Sequence, residues 1–377
     1  MRRREVLALL AGAALPWPLR ALAKDSLLEE SAGFASYMFF LAQKPPAFVM
    51  GVTRDGERAT FGYSKHGPAA PETPKADTLF RIGSITKAFT GQVLASLAAD
   101  GIVKLTDPVS KYSPEFAGPS NGSPIRLIDL ATHSSGLPRE VPRQQGPADN
   151  PFATVTREAY ANWMKANAPL FPPGSAALYS NFGFDVLAAA LSAAGGKPYP
   201  DLLTERVLAP LGLKDTTFAP AGDQLSRMMQ GHFLDGSPMP FVPTGDVIVG
   251  AGGLYSTVDD LLRWLEWHLD RSSPDGSAVR LMDHAAWLPR DGLTAVSGAD
   301  ESGHMDSMGL AWIIMEPQGN RPLVLQKAGG LQGVLSYVAF SPARRIGVVA
   351  AINAFDFAAG LEMPKLANNL IADLAPR

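Results

Sequence analysis

The fold and the chemistry of this chain both centre on the stretch FRIGSITKAFT, which runs from Phe80 to Thr90. Ser84 and Lys87 stand three residues apart in it, and apolar residues recur at helical spacing up to the stop signal at Asp100. The pattern predicts a helix that begins at Ser84, with the Lys87 amine beside the Ser84 hydroxyl on one face. A lysine whose pKa is lowered by burial can accept a serine proton, so the pair is a candidate nucleophile and base. An S-x-x-K tetrad also arises by chance in a chain of this length, so the assignment depends on finding partners.

The composition indicates a globular chain without an excess of positive charge. Of the 377 residues 46% are apolar and 18% are charged, and the net charge is -3. This length and apolar content allow one large domain, or two lobes around a cleft, with a substantial core. The slightly negative charge gives no reason to expect nucleic acid as a partner.

The first 23 residues are typical of an export signal. Three arginines at positions 2–4 precede an apolar run, which ends in the small-x-small pattern of residues 21–23. The run is too short for an ordinary membrane span, and the arginines fit either a twin-arginine (Tat) or a Sec signal. We therefore predict cleavage after Ala23, a mature domain over residues 24–377, and a periplasmic location with at most loose membrane association. An uncleaved N-terminal anchor helix would give the same pattern.

The two ends of the chain predict strands, whereas the middle predicts helices. Residues 48–64 read as a hairpin that turns at Asp55-Gly56, and the last hundred residues read as four strands, with one turn at 329–333, and a closing helix over 357–374. Between them lie helical patterns, including residues 125–137, which read as an amphipathic helix ending in a polar turn. One antiparallel sheet built from both termini, with a helical lobe inserted over about 105–245, accounts for this order. The cleft between the two is the expected site.

A glycine-rich loop over residues 250–257 precedes a helix predicted from 258 to 269, with Thr257 and Asp260 as its capping box. Glycines before a helix can bind phosphate, but no lysine follows them as a P-loop requires. We therefore expect tight packing near the cleft at this loop.

Two further short motifs lie later in the chain and are candidate partners of the Ser84–Lys87 pair. Tyr179 and Asn181 lie two residues apart in a turn before a helical pattern, and Lys327 stands at the end of a strand pattern, before Gly329 and Gly330. Taken singly, such motifs are usually an ordinary turn and a solvated strand edge. The glycines after Lys327 would let a substrate backbone lie against the strand edge.

In this order, the three motifs resemble those of the serine β-lactamase and penicillin-binding-protein superfamily, and the Tyr-Ser-Asn element resembles its class C branch. The resemblance covers residues 38–372. The stretches LATHSSGLPRE at 130–140 and QKAGG at 326–330 are most similar to the AmpH-type D-alanyl-D-alanine carboxypeptidase/endopeptidases. The resemblance implies an α+β, β-lactamase/transpeptidase-like fold, with the active site in the cleft between the helix-flanked sheet and the helical lobe.

The resemblance also implies roles for the matching residues. Ser84 would be the nucleophile that forms an acyl-enzyme, Lys87 would take or relay its proton, and Tyr179 would be the base toward the leaving group and the deacylating water. The backbone N–H groups of Ser84 and Gly330 would form the oxyanion hole. Asn181 would hold the substrate amide and Lys327 the substrate carboxylate. The substrate-binding residues are then Asn181, Lys327 and Gly329. His133, in the family-like turn, is interpreted as structural.

One position departs from the superfamily. Ala328 stands where the third motif usually carries a hydroxyl that bonds the carboxylate of a terminal D-alanine or a penicillin. The implied substrates are peptidoglycan stem peptides, with β-lactam antibiotics as covalent inhibitors, and the implied protein is a monomer without a metal or organic cofactor. An esterase for short acyl esters would not need the missing contact. The motifs are also compatible with a β-lactamase and with a catalytically silent ligand-binding protein of the same fold.

Overall fold

The computed structural model describes residues 17–147, 150–242, 245 and 247–377, with side chains from residue 27 onward. Most of the predicted export signal, residues 1–16, lies outside the described residues, so cleavage after Ala23 stays a prediction. Within the part of the chain that is described, no helix is both long enough and apolar enough to cross a membrane.

Strands from both ends of the chain form one eight-stranded antiparallel sheet, and two short pairs stand apart from it. The strands are β1 (Ala47–Arg54), β2 (Glu57–Ser64), β3 (Phe80–Arg81), β4 (Ala177–Leu178), β5 (Tyr255–Ser256), β6 (Leu288–Pro289), β7 (Val296–Ser297), β8 (Ser307–Met308), β9 (Ile313–Met315), β10 (Val324–Leu331), β11 (Val334–Ser341) and β12 (Ile346–Ile352). The order in the sheet is β2-β1-β12-β11-β10-β9-β8-β6, while β3 pairs with β5 and β4 pairs in parallel with β7.

Helices flank this sheet and, together with long loops, make up the chain between β3 and β5 apart from the short β4. They are α1 (Trp17–Gln43), α2 (Thr86–Ala99), α3 (Leu127–Ala131), α4 (Arg157–Ala166), α5 (Asn181–Gly195), α6 (Tyr199–Leu203), α7 (Ala209–Leu211), α8 (Asp223–Ser226), α9 (Val258–Leu269), α10 (Ser277–His284) and α11 (Phe357–Leu374). A 3₁₀ turn at Gly83–Ile85 precedes α2, and a π-helical turn at Thr204–Leu208 joins α6 to α7. The predicted α+β architecture, with a sheet built from both chain ends, is confirmed.

The hairpin of β1 and β2 shows how local sequence sets the register of the sheet. Asp55 and Gly56 both have positive φ, 52° and 88°, as the two-residue turn that matches the twist of paired strands requires. Arg54 therefore pairs with Glu57. The prediction of a hairpin that turns at Asp55-Gly56 is confirmed.

Two hydrophobic cores lie on the two faces of the sheet, because successive side chains of a strand point to opposite faces. Phe48 and Met50 of β1 pack with α1 and α11 on one face. Val49 faces the larger core on the other side, which includes buried residues of α2, α5 and α9. Since α5 and α6 pack against α2, and the turn before α2 contacts β10, the helix that follows Ser84 lies between the helical part of the chain and the sheet.

One predicted helix is short and one predicted boundary is wrong. The stretch 125–137, predicted as an amphipathic helix ending in a polar turn, forms the five-residue α3 and then turns at His133, whose φ of 56° is a left-handed value that cannot continue a helix. The turn predicted at 329–333 is confined to Gln332 and Gly333, because Gly329 and Gly330 stay paired with β11. The strand that carries Lys327 is therefore longer than its glycines indicated.

The predicted helix from 258 to 269 is α9, but its capping box is only half formed. The Thr257 hydroxyl accepts from the Asp260 N–H at 3.2 Å, as predicted. The Asp260 carboxylate instead accepts from the backbone N–H of Asp215 and from the Thr216 hydroxyl. A long-range contact has taken the place of the local one.

Candidate active site

Ser84 lies in the 3₁₀ turn before α2, where close backbone packing holds the turn against β10. Gly83 has φ 50°, and a Cβ atom there would lie 2.5 Å from the Gly330 nitrogen. A Cβ atom on Gly329 would lie 2.0 Å from the Ile82 carbonyl oxygen. Only glycine permits these approaches. Gly329 was predicted as a substrate-binding residue. The packing of the Ser84 turn on the strand also requires a glycine at this position.

Lys87 lies one turn after Ser84 and is fully buried. Its Nζ donates to Ser84 Oγ at 3.0 Å, to Asn181 Oδ1 at 2.6 Å and to the Ala251 carbonyl at 2.6 Å. Burial lowers the pKa of Lys87 to about 7, against the opposing effect of Asp185 and Glu140. A neutral amine has two N–H donors and one lone pair. Because both carbonyl-type oxygens can only accept, the lone pair of neutral Lys87 must face Ser84.

A pairing between two short strands, which the local sequence does not predict, positions Tyr179. Its N–H donates to the Ser297 carbonyl at 3.0 Å, at the end of the β4–β7 pair. Gly298 has φ 72°, and a Cβ atom there would lie 2.9 Å from Tyr179 Cβ. Nζ of Lys87 and Nζ of Lys327 lie 4.9 and 5.2 Å from the centre of the Tyr179 ring. Both lysine amines thus lie close to the Tyr179 ring, and the role predicted for the tyrosine stays a prediction.

His133 packs against Tyr179, with 4.4 Å between the ring centres. Its Nδ1 accepts from the Ser180 N–H, and its carbonyl accepts from the Leu178 N–H. Burial, together with Lys327 and Lys87, lowers its pKa well below the ordinary value, so the ring stays neutral. His133 therefore fixes the residues on both sides of Tyr179, which is a structural role next to the site.

Lys327 is the other buried lysine. It is 1% exposed, and its Nζ has no hydrogen-bond partner among the described residues. Burial lowers its pKa to about 8, with Lys87 adding to the effect and Tyr179 opposing it. A buried, unpaired ammonium is costly unless something anionic binds it. Lys327 is thus suited to hold an anionic group of a ligand.

The amide of Asn181 is engaged at both ends in the absence of substrate. Its Oδ1 accepts from Lys87, and its Nδ2 donates to Glu140 Oε1 at 2.5 Å. Asn181 therefore orients Lys87, and the substrate contact predicted for it stays a prediction.

Two residues that hold Lys87 in place were not predicted from the sequence. Ala251, in the glycine-rich loop, accepts from Lys87, and its own N–H donates to buried Asp185 at 3.1 Å. Burial raises the pKa of Asp185 well above its ordinary value, and Tyr160 donates to its other oxygen. The signal was present, because Asp185 is the one carboxylate in the apolar helix α5, one turn after Asn181.

Two cavities meet at Ser84. The larger, of about 570 Å³, is lined by Tyr179, Arg139, Lys327 and Gly329 together with the first turns of α11. The smaller, of about 90 Å³, is lined by Asn181, Glu140 and Arg143. Gly330, predicted for the oxyanion hole, lines both. All the predicted site residues except Lys87, which is fully buried beneath Ser84, thus line a single divided cleft.

One group of side chains in the described residues has the spacing of metal ligands, namely His268, Asp283 and His284. None of the three lines either cavity at Ser84.

A serine at a helix start, 3.0 Å from a buried lysine, with a tyrosine beside two lysines next to an antiparallel sheet, is the arrangement typical of serine hydrolases that work through an acyl-enzyme. The chain belongs to the β-lactamase family, whose profile matches residues 26–371.

The relatives agree with the predicted branch. The chain is 38% identical to the D-alanyl-D-alanine-carboxypeptidase/endopeptidase AmpH of Escherichia coli strain K12, over 86% of this chain and 84% of the relative. The crystal structure of a β-lactamase/D-alanine carboxypeptidase from Yersinia pestis, complexed with citrate, is 35% identical. It superposes with a TM-score of 0.83 over 92% of this chain and 98% of that one. A class C β-lactamase, at 20% identity, a TM-score of 0.76, and 93% and 97% coverage, shares the fold.

Proposed function

We propose that this protein is a periplasmic DD-carboxypeptidase/endopeptidase that cleaves D-alanyl peptide bonds of peptidoglycan stem peptides. The observation that carries the proposal is the Lys87 amine, buried 3.0 Å from Ser84 Oγ with a pKa of about 7. The names of the relatives from Escherichia coli and Yersinia pestis support the substrate class. The arginine-led N-terminal segment supports export.

In the acylation step, Ser84 Oγ attacks the carbonyl carbon of the scissile bond. The serine proton passes to the Lys87 lone pair, and the N–H groups of Ser84 and Gly330 bind the developing oxyanion. When the tetrahedral intermediate collapses, the C–N bond breaks and the leaving nitrogen takes a proton from Tyr179. The product is an ester between Ser84 and the acyl part of the peptide.

Deacylation repeats these steps with water as the nucleophile. Tyr179 accepts a proton from the water, which attacks the ester carbonyl, and the C–O bond to Ser84 breaks. The serine oxygen regains its proton from Lys87, so the site returns to its starting state. Every proton transfer uses a group already within the cluster, and no further reactant is needed.

An esterase is the second candidate, because of one observation. Ala328 lines the larger cavity together with apolar side chains of α11, including Phe357 and Leu361. This wall offers no hydroxyl for a substrate carboxylate and suits an uncharged group. A short acyl ester would meet no unpaired partner there.

The test compares three substrates on the purified protein, with Ser84→Ala as the blank. They are purified muropeptides, a nitrophenyl ester and a chromogenic cephalosporin. We expect D-alanine release and cross-link cleavage from muropeptides to exceed the other two activities in kcat/KM. Fast ester cleavage with intact muropeptides would favour the esterase, and fast cephalosporin turnover would favour a β-lactamase.

A further inference from the structure

The two cavities at Ser84 divide the cleft into a leaving-group side and an acyl side. Tyr179, which protonates the leaving nitrogen in the proposed mechanism, lines the larger cavity and not the smaller one. The leaving group must lie within reach of the group that protonates it. The larger cavity therefore receives the leaving group, and the cavity beside Asn181 receives the acyl part.

Two cations lie beside the Tyr179 ring and line this leaving-group cavity. Lys327 Nζ lies 5.2 Å and Arg139 Cζ 4.8 Å from the ring centre. The Arg139 side chain is exposed and has neither a carboxylate nor a carbonyl partner among the residues that the structure describes. Its backbone is fixed, because its carbonyl accepts from the first two N–H groups of α5, those of Asn181 and Phe182. The guanidinium, which lies over the Tyr179 ring, is therefore available to a ligand.

Apart from those of Ser84 and Tyr179, the side-chain hydroxyls that the structure describes along this cavity are engaged, that of Tyr337 with Asn368 Oδ1 at 3.3 Å. Ser336 donates to the Ile82 carbonyl at 3.0 Å, and Ser302 donates to Gln326 Oε1 at 3.0 Å. Ala328 supplies only a methyl group. Glu301 is the one carboxylate in the lining, and the structure gives it no ion pair with either cation. Among the described side chains of this cavity, and apart from Ser84 and Tyr179, the donors without a hydrogen-bond partner are Lys327 and Arg139.

We propose that Arg139, together with Lys327, binds a carboxylate carried by the leaving group and so takes over the contact that Ala328 lacks. This proposal rests on the proposed function and deepens it. A guanidinium binds a carboxylate through two parallel hydrogen bonds, which fix direction as well as charge. The enzyme should therefore prefer peptides whose leaving amine carries a free carboxylate, as a terminal D-alanine does.

The experiment separates charge recognition from catalysis by using matched substrates. An N-acylated D-Ala-D-Ala dipeptide is compared with the same dipeptide ending in a carboxamide, and product release is measured by liquid chromatography. In Arg139→Ala, kcat/KM for the free acid should fall about 10- to 100-fold, the range for one lost charge-assisted contact. The value for the carboxamide should change less than about threefold. Arg139→Lys keeps the charge but cannot form two parallel hydrogen bonds. Its kcat/KM for the free acid should therefore lie between those of wild type and Arg139→Ala.

Arg271→Ala is the matched control, because it removes an exposed arginine that lies outside both cavities. It should behave as wild type on both substrates, and thermal unfolding should be the same for all variants. An equal loss on acid and carboxamide in Arg139→Ala would show that Arg139 acts through Tyr179 and would overturn the proposal. No loss on either substrate would overturn it too.

A second pair of substrates keeps this test independent of the proposed function. It consists of an aryl ester whose phenol carries a carboxylate and the uncharged aryl ester. If wild type cleaves only the esters, the peptidase assignment fails. The role of Arg139 is then tested on this pair of esters. A loss of kcat/KM in Arg139→Ala that is confined to the carboxylated ester supports carboxylate binding by Arg139, and an equal change on both esters overturns it.

Discussion

Two groups of buried ionisable side chains invite comparison. The open cluster consists of Ser84, Lys87, Tyr179 and Lys327, and the enclosed cluster consists of His268, Asp283 and His284. Both are largely removed from water, and burial shifts pKa values in both. The open cluster reaches a cavity of about 570 Å³ and retains an ammonium without a hydrogen-bond partner among the described residues. The enclosed cluster lines no part of that cleft.

The enclosed cluster lies within a shell of aromatic rings, and His268 Nε2 and Asp283 Oδ1 have no hydrogen-bond partner among the described residues. His268 Nδ1 lies 2.8 Å from His284 Nε2, and Trp312 donates to Asp283 at 2.7 Å. Trp264 and Phe340 pack on the His268 ring. Burial raises the pKa of Asp283 well above its ordinary value and lowers that of His284 to about 3, so the group favours uncharged forms. A shifted pKa therefore identifies a candidate site here only when a cavity and an unpaired charge accompany it.

The largest expected effect comes from the nucleophile. Ser84→Ala should lower kcat by roughly 10⁴-fold or more, because it removes the proposed nucleophile of the acyl-enzyme. Covalent labelling by a fluorescent penicillin, followed by mass spectrometry, should disappear, while thermal unfolding stays unchanged. Persistent labelling would move the nucleophile elsewhere in the open cluster's cleft.

Tyr179→Phe should give the next largest effect. The phenyl ring keeps the packing on His133 but has no proton to transfer, so kcat should fall roughly 10²- to 10⁴-fold. Stopped-flow acylation and steady-state turnover would show which half-reaction slows. Turnover close to wild type would assign the whole proton transfer to Lys87.

The pH profile tests the two lysines together. Since Lys87 must be neutral to accept a proton and its pKa is lowered to about 7, kcat/KM should rise up to about pH 7. Since Lys327 must be charged to attract a carboxylate and its pKa is lowered to about 8, kcat/KM for a D-Ala-D-Ala peptide should fall above about pH 8.

On each side of this bell-shaped pH profile, the change in kcat/KM should approach about tenfold per pH unit. An uncharged ester should show the acid limb without the alkaline one. If the ester and the peptide share the alkaline limb, Lys327 acts on the chemical step and not on the carboxylate.

The smallest effect on activity is expected at the enclosed cluster. Asp283→Ala leaves the Trp312 N–H unpaired and opens a small void, which should lower the free energy of unfolding by about 2 to 4 kcal/mol. Below the unfolding transition, kcat should stay within about twofold of wild type. Asp291→Ala, at an exposed aspartate, is the control for the loss of a carboxylate.

Two outcomes would break the comparison between the clusters. Lost activity in folded Asp283→Ala would couple the enclosed cluster to the cleft. A rise in Tm of wild type on adding zinc, absent in Asp283→Ala, would make the enclosed cluster a metal site.

The sequence by itself determined whatever depends on neighbours along the chain. The Ser84–Lys87 spacing follows from one helical turn, the β1–β2 register follows from Asp55-Gly56, and α11 begins and ends where its pattern predicts. These features rest on contacts within a few residues, so periodicity and turn chemistry suffice to find them. The order of the three motifs likewise indicated the α+β fold and the class C branch.

Only the tertiary structure decided how the open cluster is held and where its charges face. The pairing of β4 with β7 places Tyr179, and Asp185 fixes the Ala251 carbonyl that orients Lys87. Arg139 reaches the leaving-group cavity because its carbonyl caps the start of α5. These contacts join segments far apart in sequence, and no local pattern encodes which partner a strand or carbonyl will find. The same reason explains why the strand of Lys327 extends further than predicted, since pairing with β11 outweighed the local preference of two glycines for a turn.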